Sequence, residues 1–366
     1  MFLVVTRSFP PDIGGMQTLM EGLSESLLDH GPVKVFAYEF PYSNIYDSKS
    51  KIIIERIKGI KLFRKYRKAS LINNFINESS NIRSVVADHW KSLELLNKES
   101  LNKSKTICLL HSKEINHEKG SSLNKRLIKS TDKANFIIAN SNFTKELAIK
   151  VGINSSKIKL IFPGIQKPKI IEDKFKAEAE LFFKDSFPKI ITIARLEKRK
   201  NHDKILMTIK NLKTKFPNIK YISIGFGEEE NNLKKLSKEM SIEKEVIFLK
   251  NINENLKLAL IATSNLFLMP SIIYKKSVEG FGISYMEAAS YGVGSIGGKD
   301  GGASDAVLHN KTGLICDGND LNSIYEAVNN FFINDKFNVF GKAAQKFSED
   351  FHWNKIVKNY IKLINE

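Results

Sequence analysis

The stretch Glu279–Glu287 has the sequence Glu-Gly-Phe-Gly-Ile-Ser-Tyr-Met-Glu, and its two carboxylates lie eight positions apart. Glycine permits close approach of the backbone to a ligand, and after Gly282 the pattern becomes helical. A helix that begins near Ile283 directs free backbone N–H groups and its positive dipole end toward the glycine turn. Glu279 precedes this helix and Glu287 lies just over one turn inside it. The spacing therefore predicts that both acids and the turn face one phosphate-bearing ligand.

A plainer explanation of this stretch is a surface loop followed by an amphipathic helix with solvated acids. A single Glu would fit that explanation. A packed helix, however, needs neither a Gly-x-Gly at its start nor the further glycine pairs Gly297-Gly298 and Gly301-Gly302 in the loop that follows. We therefore favour a ligand site.

Length and composition indicate a two-domain globular protein. The chain has 366 residues, of which 42% are hydrophobic, enough for two domains that each bury a core. No apolar run approaches the roughly 18–20 residues of a membrane span. Polar residues and prolines follow Met1–Val5, which predicts no signal peptide, and Cys108 and Cys316 have no metal or redox spacing. We expect a cytoplasmic protein with two inert thiols.

The formal net charge of +17 would suit nucleic acid, an anionic membrane surface or acidic small ligands. No zinc-finger, bZIP or RNP-type motif is present, so we expect no nucleic-acid partner. A non-catalytic basic protein that binds polyanions remains an alternative. Such a protein would show a steep salt dependence of binding and no turnover.

The N-terminal part begins with a strand, a glycine loop and a helix. Phe2–Thr6 predicts a buried strand, and a loop with Gly14 and Gly15 leads into a helix over Met16–Leu28. This opening is typical of a Rossmann-like unit, but it lacks Gly-x-Gly-x-x-Gly and does not indicate NAD. A tight turn is the alternative explanation of the two glycines. Further strands are predicted at Val33–Tyr38, Val85–Ala87, Thr106–Leu110, Asn135–Asn140 and Lys159–Phe162.

One histidine lies at a predicted strand end. His111 follows directly after Thr106–Leu110, with Glu114 three positions on. Ligands of open α/β sheets bind at the carboxyl ends of strands. This position favours a functional role for His111 over that of a structural histidine.

Pro163–Pro188 divides two series of strands and helices, because it has three prolines, many charges and few periodic signals. We predict a first Rossmann-like domain over residues 1–165, a linker over 166–188 and a second Rossmann-like domain over 189–350. The C-terminal helix, residues 351–366, is expected to pack back on the first domain.

The second series places basic residues at a strand end. A strand over Lys189–Ala194 is followed by Arg195 and, five positions later, Lys200. Arg offers a bidentate fork and Lys a point charge, so one loop could hold a diphosphate. We predict that Lys198 and Arg199 are solvated neighbours. Three more strands are predicted at Tyr221–Ile224, followed by Gly225, and at Val246–Leu249 and Leu266–Met269.

The pair Glu279 and Glu287 resembles the Glu-x7-Glu motif of retaining glycosyltransferases of family 4, and Val278–Ile283 is similar to the mannosyltransferase-type branch. The resemblance covers most of the chain and is strongest over residues 190–315. It implies the GT-B fold, an α/β architecture of two Rossmann-like domains facing a cleft. It also implies retaining transfer of a hexose from a nucleotide diphosphate sugar to an acceptor hydroxyl.

The resemblance assigns roles to individual residues. It implies that Arg195 and Lys200 neutralise the leaving diphosphate, that Glu279 holds donor-sugar hydroxyls, and that Glu287 holds ribose hydroxyls. His111 would line the sugar pocket. The remaining donor-binding residues implied are Gly14, Gly15, Gly225, Phe281, Gly282 and Ile283. No Asp-x-Asp is present, and the fold generally works without a catalytic metal, so we expect neither metal nor cofactor.

The acceptor implied is a glycan or a lipid-linked saccharide, in cell-surface polysaccharide, lipopolysaccharide or glycolipid synthesis. A different GT-B enzyme, such as a sugar-nucleotide epimerase or a phosphorylase, is the second alternative. Lys49–Lys68 carries nine basic residues interleaved with isoleucines, and a helical arrangement gathers the isoleucines on one side. Such a helix would dock on the anionic inner face of the cell membrane, or lie solvated against the sheet.

Overall fold

The computed structural model describes residues 1–366 and contains two α/β units. The first unit comprises Met1–Gln166 together with Phe351–Glu366, and the second comprises Lys167–Asp350. The C-terminal residues therefore belong to the first unit, although the whole second unit precedes them in the chain. Helices and strands are numbered in chain order below.

The first unit is built on a seven-stranded parallel sheet with the strand order β3-β2-β1-β4-β5-β6-β7. Its central strands are apolar on both faces and fully buried, as expected for a sheet covered by helices on both sides. The strands are β1 (Phe2–Val5), β2 (Val33–Tyr38), β3 (Ile53–Ile57), β4 (Ser84–Ala87), β5 (Lys105–Leu110), β6 (Phe136–Ala139) and β7 (Ile158–Leu160).

The helices of the first unit connect these strands, and the last one returns from the end of the chain. They are α1 (Gly15–Leu28), α2 (Ser43–Asp47), α3 (Lys61–Glu78), α4 (Trp90–Leu93), α5 (Lys98–Leu101), α6 (Ser122–Thr131), α7 (Asn142–Lys150) and α16 (Trp353–Asn365). The indole of Trp353 is buried between Gly22 of α1 and Gly164, so close that a Cβ at either glycine would overlap with it. This contact fixes α16 on the first unit.

The second unit repeats the plan with six parallel strands in the order β10-β9-β8-β11-β12-β13. The strands are β8 (Lys189–Ile193), β9 (Lys220–Ile224), β10 (Val246–Leu249), β11 (Leu266–Met269), β12 (Ser295–Gly298) and β13 (Gly313–Cys316). The helices are α8 (Asp173–Phe183), α9 (His202–Leu212), α10 (Glu230–Glu239), α11 (Glu254–Thr263), α12 (Ile283–Ser290), α13 (Ala303–Ala306), α14 (Leu321–Phe331) and α15 (Lys336–Ser348). The predicted α/β class with two Rossmann-like sheets is confirmed.

The prediction of one helix over Lys49–Lys68 is wrong. The segment forms the edge strand β3 and then the first turns of α3, with Gly59 between them at φ +110°. Only glycine adopts that backbone conformation readily, so the helical pattern cannot continue through it. The isoleucines of Ile53–Ile57 instead meet the β preference of branched side chains.

Two other segments also differ from prediction. The expected linker over residues 166–188 contains helix α8, whose Ala179 and Phe183 are buried. The glycine pair Gly297-Gly298, assigned to a loop, forms the end of strand β12. A Cβ at Gly298 would overlap with the carbonyl oxygen of Ser271, so the absence of a side chain lets β12 pass close to the backbone that follows β11.

We predict that Gly22→Ala destabilises the first unit by about 1–3 kcal/mol, because the added methyl group overlaps with the buried Trp353 indole. Gly15→Ala on the same helix is the matched control, since nothing lies within 4 Å of the Cβ that it would introduce. Urea denaturation followed by Trp fluorescence measures both variants. Equal stability of Gly22→Ala and Gly15→Ala would contradict the packing described for α16.

Candidate functional site

The site of the second unit lies where the strand order of its sheet reverses. The chain runs from β8 to β9 and β10 on one side and from β11 to β12 and β13 on the other, so β8 and β11 are neighbours from which the connections diverge. Open α/β sheets bind ligands at the carboxyl ends of strands at such a point. The loop that follows β8 carries Arg195–Lys200, and the loop that follows β11 carries Glu279.

Glu279 makes ion pairs with two cations of the β8 loop. Its Oε2 accepts from Arg199 Nη1 at 2.8 Å and also contacts Lys200 Nζ. Glu279 and Lys200 are only 9% and 7% exposed. Burial alone would raise the pKa of Glu279, but Lys200 and Arg199 outweigh it and lower that pKa to about 2. The carboxylate is therefore ionised at neutral pH.

Lys200 responds to the same surroundings in the opposite sense. Burial lowers the pKa of Lys200, while the charge of Glu279 opposes this change. We assign the charged form to both Lys200 and Glu279. A neutral Lys200 would leave Glu279 with Arg199 as its one cationic partner, and this loss exceeds the desolvation cost of keeping Lys200 charged. Two cationic side chains therefore share one oxygen of the Glu279 carboxylate.

Arg199 is the residue that sequence reasoning misplaced. The prediction that it is a solvated neighbour is wrong, since its side chain is 13% exposed and bonded to Glu279. Lys198 is 40% exposed and forms an ion pair with Glu229. Three basic residues in a row gave no signal to separate Arg199 from Lys198. Only the direction in which each side chain leaves the loop decides which one is buried.

Arg195 does not contact Lys200 or Glu279. Its Nη1 lies 3.0 Å from Glu197 Oε1, and its side chain is 59% exposed. The second oxygen of Glu197 accepts from Arg199 Nε at 3.2 Å. A chain of alternating charges therefore runs from Arg195 through Glu197 and Arg199 to Glu279 and Lys200. The predicted Arg195 and Lys200 therefore belong to one network of ion pairs, but the two side chains do not share an anionic partner.

The glycine turn before α12 positions the Glu279 backbone. Gly282 has φ +89°, and a Cβ there would overlap with the ring of Tyr285. The backbone N–H of Gly302 donates to the carbonyl oxygen of Glu279 at 2.9 Å. Phe281 is buried and Ile283 begins the helix. The predicted residues of this stretch therefore form one tightly built loop at the N-terminus of α12.

Glu287 lies on α12 in a different electrostatic environment. Burial raises the pKa of Glu287, and the nearby Lys257 opposes this change. Lys257 itself bonds to Glu254 at 2.7 Å, and Glu287 makes no salt bridge. The Glu287 carboxylate is therefore not committed to a cation, which distinguishes it from Glu279.

Gly225 brings the loops after β8 and β9 together. A Cβ at Gly225 would overlap with the carbonyl oxygen of Ala194, the residue before Arg195. The N–H of Leu196 then donates to the carbonyl oxygen of Phe226 at 3.0 Å. The predicted donor-binding Gly225 thus supports the backbone of the basic loop.

The predicted residues of the first unit lie at the ends of β1 and β5. His111 Nε2 is 2.9 Å from the carbonyl oxygen of Asp88, and the His111 N–H donates to Glu114 Oε1 at 2.6 Å. Because a carbonyl oxygen only accepts, Nε2 carries a proton, and in that tautomer Nδ1 is left as an acceptor. Gly14 precedes α1, and the space around Gly15 is open.

No group of three or more His, Cys, Asp or Glu side chains is arranged to hold a metal ion. No helix has the length and apolar character needed to cross a membrane.

The two Rossmann-like units have the architecture of the GT-B fold. Residues 173–349 match the family described as glycosyl transferases group 1. Together with the mannosyltransferase relatives that match most of the chain, this match identifies the chain as a hexosyltransferase. A GDP-mannose-dependent alpha-(1-6)-phosphatidylinositol monomannoside mannosyltransferase of Mycolicibacterium smegmatis is 24% identical over 338 residues, which cover 89% of this chain and 87% of that protein. The protein of the same name from Mycobacterium tuberculosis is 24% identical over 367 residues, 94% of this chain and 92% of that one.

Solved structures share the fold. Anabaena HepE in complex with UDP superimposes with a TM-score of 0.83 at 16% identity, covering 100% of this chain and 99% of that one. Sucrose-phosphate synthase from Thermosynechococcus elongatus gives a TM-score of 0.81 at 17% identity, covering 100% and 98%.

We predict that the stabilising effect of the Glu279 ion pairs is lost in acid. The lowered pKa means that the contribution is complete above the usual Glu value near 4.5 and disappears as pH falls toward about 2. A shift of this size corresponds to about 3 kcal/mol. The melting temperature of Glu279→Gln should lie well below that of wild type at pH 7, and the two should converge toward pH 2.5.

Glu180→Gln is the control for this experiment, since it removes the partner of Lys189 from the same unit where the carboxylate is 56% exposed. Exposed pairs of this kind contribute little, so its melting temperature should follow wild type at every pH. Scanning calorimetry measures the three proteins. A difference between wild type and Glu279→Gln that stays constant from pH 7 to pH 2.5 would contradict the assignment.

Proposed function

We propose that the protein transfers a mannosyl residue from a nucleoside diphosphate mannose to a hydroxyl group of a glycolipid, with retention of the anomeric configuration. The observation that carries the proposal is the ionised Glu279 between Lys200 and Arg199, at the start of α12. Cations and a helix N-terminus suit a diphosphate, and an ionised carboxylate accepts hydrogen bonds from sugar hydroxyls. The mannosyltransferases that match most of the chain support the choice of sugar and of acceptor class.

The reaction breaks the bond between the anomeric carbon and the diphosphate oxygen and forms a bond to the acceptor oxygen. The electron pair of the broken bond leaves with the diphosphate as negative charge, and the acceptor hydroxyl gives its proton to the diphosphate or to water. The cations Arg199 and Lys200 beside Glu279 are placed to stabilise that charge, which is the type of effect that often supplies most of an enzymatic rate enhancement. The Arg195 side chain is exposed and forms its ion pair with Glu197, so its guanidinium could also bind the diphosphate without breaking a buried ion pair.

The other predicted residues take complementary roles in this proposal. Glu287 makes no salt bridge and would accept hydrogen bonds from the ribose. His111, in the tautomer with the proton on Nε2, would accept a hydrogen bond from the sugar through Nδ1. Gly14 and Gly15 would leave room for the phosphates. No metal ion or cofactor is needed for these roles.

The third part of the proposal is attachment to a membrane through the exposed start of α3. The first turns of α3 expose Ile60, Leu62, Phe63 and Tyr66, each more than half accessible to solvent. Lys61, Arg64, Lys65 and Arg67 are interleaved with them. We call Ile60–Arg67 the α3 patch. Its apolar side chains would enter the interface while the cations contact anionic lipid, at about 1 kcal/mol for each charge.

We predict that Lys200→Ala lowers turnover of GDP-mannose by one to two orders of magnitude. It removes a charge-assisted contact of about 1.5–3 kcal/mol. Lys198→Ala is the matched control, because Lys198 is two positions away in the same loop and forms its ion pair with Glu229. Release of GDP from GDP-mannose, with UDP-glucose as the alternative donor, measures the activity. Equal turnover in the two variants would contradict the role of Lys200, and absence of turnover with every nucleotide sugar would contradict the function.

We predict that the protein binds vesicles containing anionic lipid and that charge reversal in the α3 patch abolishes this binding. The reversed residues are Lys61, Arg64, Lys65 and Arg67, each changed to Glu. Attachment should weaken in salt, since the Debye length falls from about 10 Å at 0.1 M to about 3 Å at 1 M. Co-sedimentation with neutral and anionic vesicles is the measurement.

A control with the same change in charge reverses Lys125, Lys129, Lys145 and Lys150 on α6 and α7 of the same unit, where all but the half-buried Lys145 are exposed. This variant should still bind anionic vesicles. Equal loss of binding in both variants would show that only net charge matters and that the α3 patch has no special part.

A further inference from the structure

We propose that the first unit contains an anion site, formed by Arg7, Lys68 and Lys91 at the carboxyl ends of β1 and β4, that binds a phosphate ester of the acceptor. We call these three residues the Arg7 cluster. The assignment of the phosphate to the acceptor rests on the proposed function, whereas the anion site itself rests on the contacts within this unit.

The carboxylate of Asp88, beside this cluster, accepts three hydrogen bonds. Asp88 is fully buried, and its Oδ2 accepts from Thr6 Oγ1 at 2.9 Å and from the Arg7 backbone N–H at 3.0 Å. Its Oδ1 accepts from Ser92 Oγ at 2.6 Å. Asp88 therefore holds the ends of β1 and β4 together, and it makes no salt bridge to a cation.

Lys68 is a buried lysine that makes no salt bridge. It is 4% exposed, and its Nζ lies 3.2 Å from Ser92 Oγ and 3.4 Å from the carbonyl oxygen of Thr6. The ring of Tyr38 is 5.0 Å away. Burial lowers the pKa of Lys68 to about 8, against the opposing charge of Asp88, so the ammonium form still predominates at neutral pH. Asp88 supplies one negative charge for the three cations of the cluster, and an anionic ligand would balance the remaining positive charge.

Arg7 has an unsatisfied donor at the same place. Its Nε is shielded from solvent and has no hydrogen-bond partner, and its guanidinium makes no salt bridge. An acceptor oxygen that enters beside Nε would satisfy this donor.

Lys91 lies at the rim of the cluster, with its Nζ 5.2 Å from the ring of Trp90. Lys91 follows three positions after Asp88, whose carboxylate bonds to the Arg7 backbone N–H. Burial and then the charge of Arg7 lower the pKa of Lys91. The carboxylates that act on Lys91 are engaged elsewhere, since Glu94 bonds to Arg126 and Glu114 to the N–H of His111. The Arg7 cluster and Asp88 together carry a net charge of +2.

A phosphate ester fits this arrangement by charge and by shape. Several oxygens on one phosphorus can accept from a guanidinium and two ammonium groups at once, which a single hydroxyl group cannot do. The cluster is linked to His111, because His111 Nε2 bonds to the carbonyl oxygen of Asp88 at 2.9 Å. An acceptor held by its phosphate would then have its sugar beside the histidine. The proposed acceptor is therefore a phosphodiester whose glycosylated hydroxyl lies a short distance from the phosphorus.

Calorimetry on the full chain tests this assignment, with GDP present at saturation so that the site of the second unit is occupied. The titrants are inorganic phosphate and glycerophosphoinositol, a soluble phosphodiester headgroup, at constant ionic strength. We expect saturable binding of the phosphodiester at one site per chain. Arg7→Gln and Lys68→Met should each weaken it by about tenfold or more. Lys125→Gln, which removes an exposed lysine of the same unit, should leave it unchanged.

If Arg7→Gln fails to fold, as judged by its melting temperature, Lys91→Gln replaces it, since Lys91 is at the rim. Binding of neither titrant, or binding that Arg7→Gln and Lys68→Met leave unchanged, would overturn the site. Binding of inorganic phosphate alone would overturn the assignment to the acceptor. The GDP titration that precedes each run separates these results from the donor reaction, because loss of GDP binding would count against the proposed function and not against the anion site.

Discussion

The ion pairs of Glu279 are the interaction on which the second unit depends. A carboxylate that is 9% exposed stays charged only because Arg199 and Lys200 reach it from another loop. The same contacts join the segment after β11 to the segment after β8, so the proposed donor site and the packing of the two loops depend on one cluster. Loss of either cation would both change the local charge and loosen the glycine turn before α12.

Neighbouring strands explain how residues about eighty positions apart meet. β8 and β11 pair directly, with Ile190 beside Leu266, although β9 and β10 lie between them in the chain. The hydroxyl of Thr192 on β8 also donates to the carbonyl oxygen of Leu268 on β11. The loops that leave these two strands therefore start side by side. Glycines then admit the close backbone contacts, as at Gly225 against Ala194.

Much of the fold could be predicted because buried parallel strands appear in the sequence as short apolar runs. β2, β10 and β11 have the predicted bounds, and most other predicted strands differ by one or two residues. Strand β3 was missed because its isoleucines also fit a helical period until Gly59 interrupts them. Strand β12 was missed because a strand that ends in two glycines carries no apolar signal. In both cases neighbouring strands, and not local sequence, decide the conformation.

The contacts of the candidate site could be predicted only in part. Glu279, Gly282 and Lys200 stand out because a charged residue beside a glycine turn or at a strand end has few purely structural explanations. Arg199 did not stand out, because its burial depends on which way one side chain leaves a three-residue basic run. The Arg7 cluster was equally hidden, since its excess of positive charge becomes visible only when all of its contacts are known.

The return of α16 to the first unit has an evolutionary consequence. The N–H of Ile165 donates to the carbonyl oxygen of Phe351 at 2.8 Å, and the N–H of Trp353 donates to that of Ile165 at 3.1 Å. The chain thus leaves the first unit and re-enters it at adjacent points, and residues 167–350 form an uninterrupted insert. Such an insert can be exchanged as a cassette between relatives without cutting either sheet. The two units can then diversify by separate genetic events, the second by recombination at this junction and the first by point mutation around its sheet.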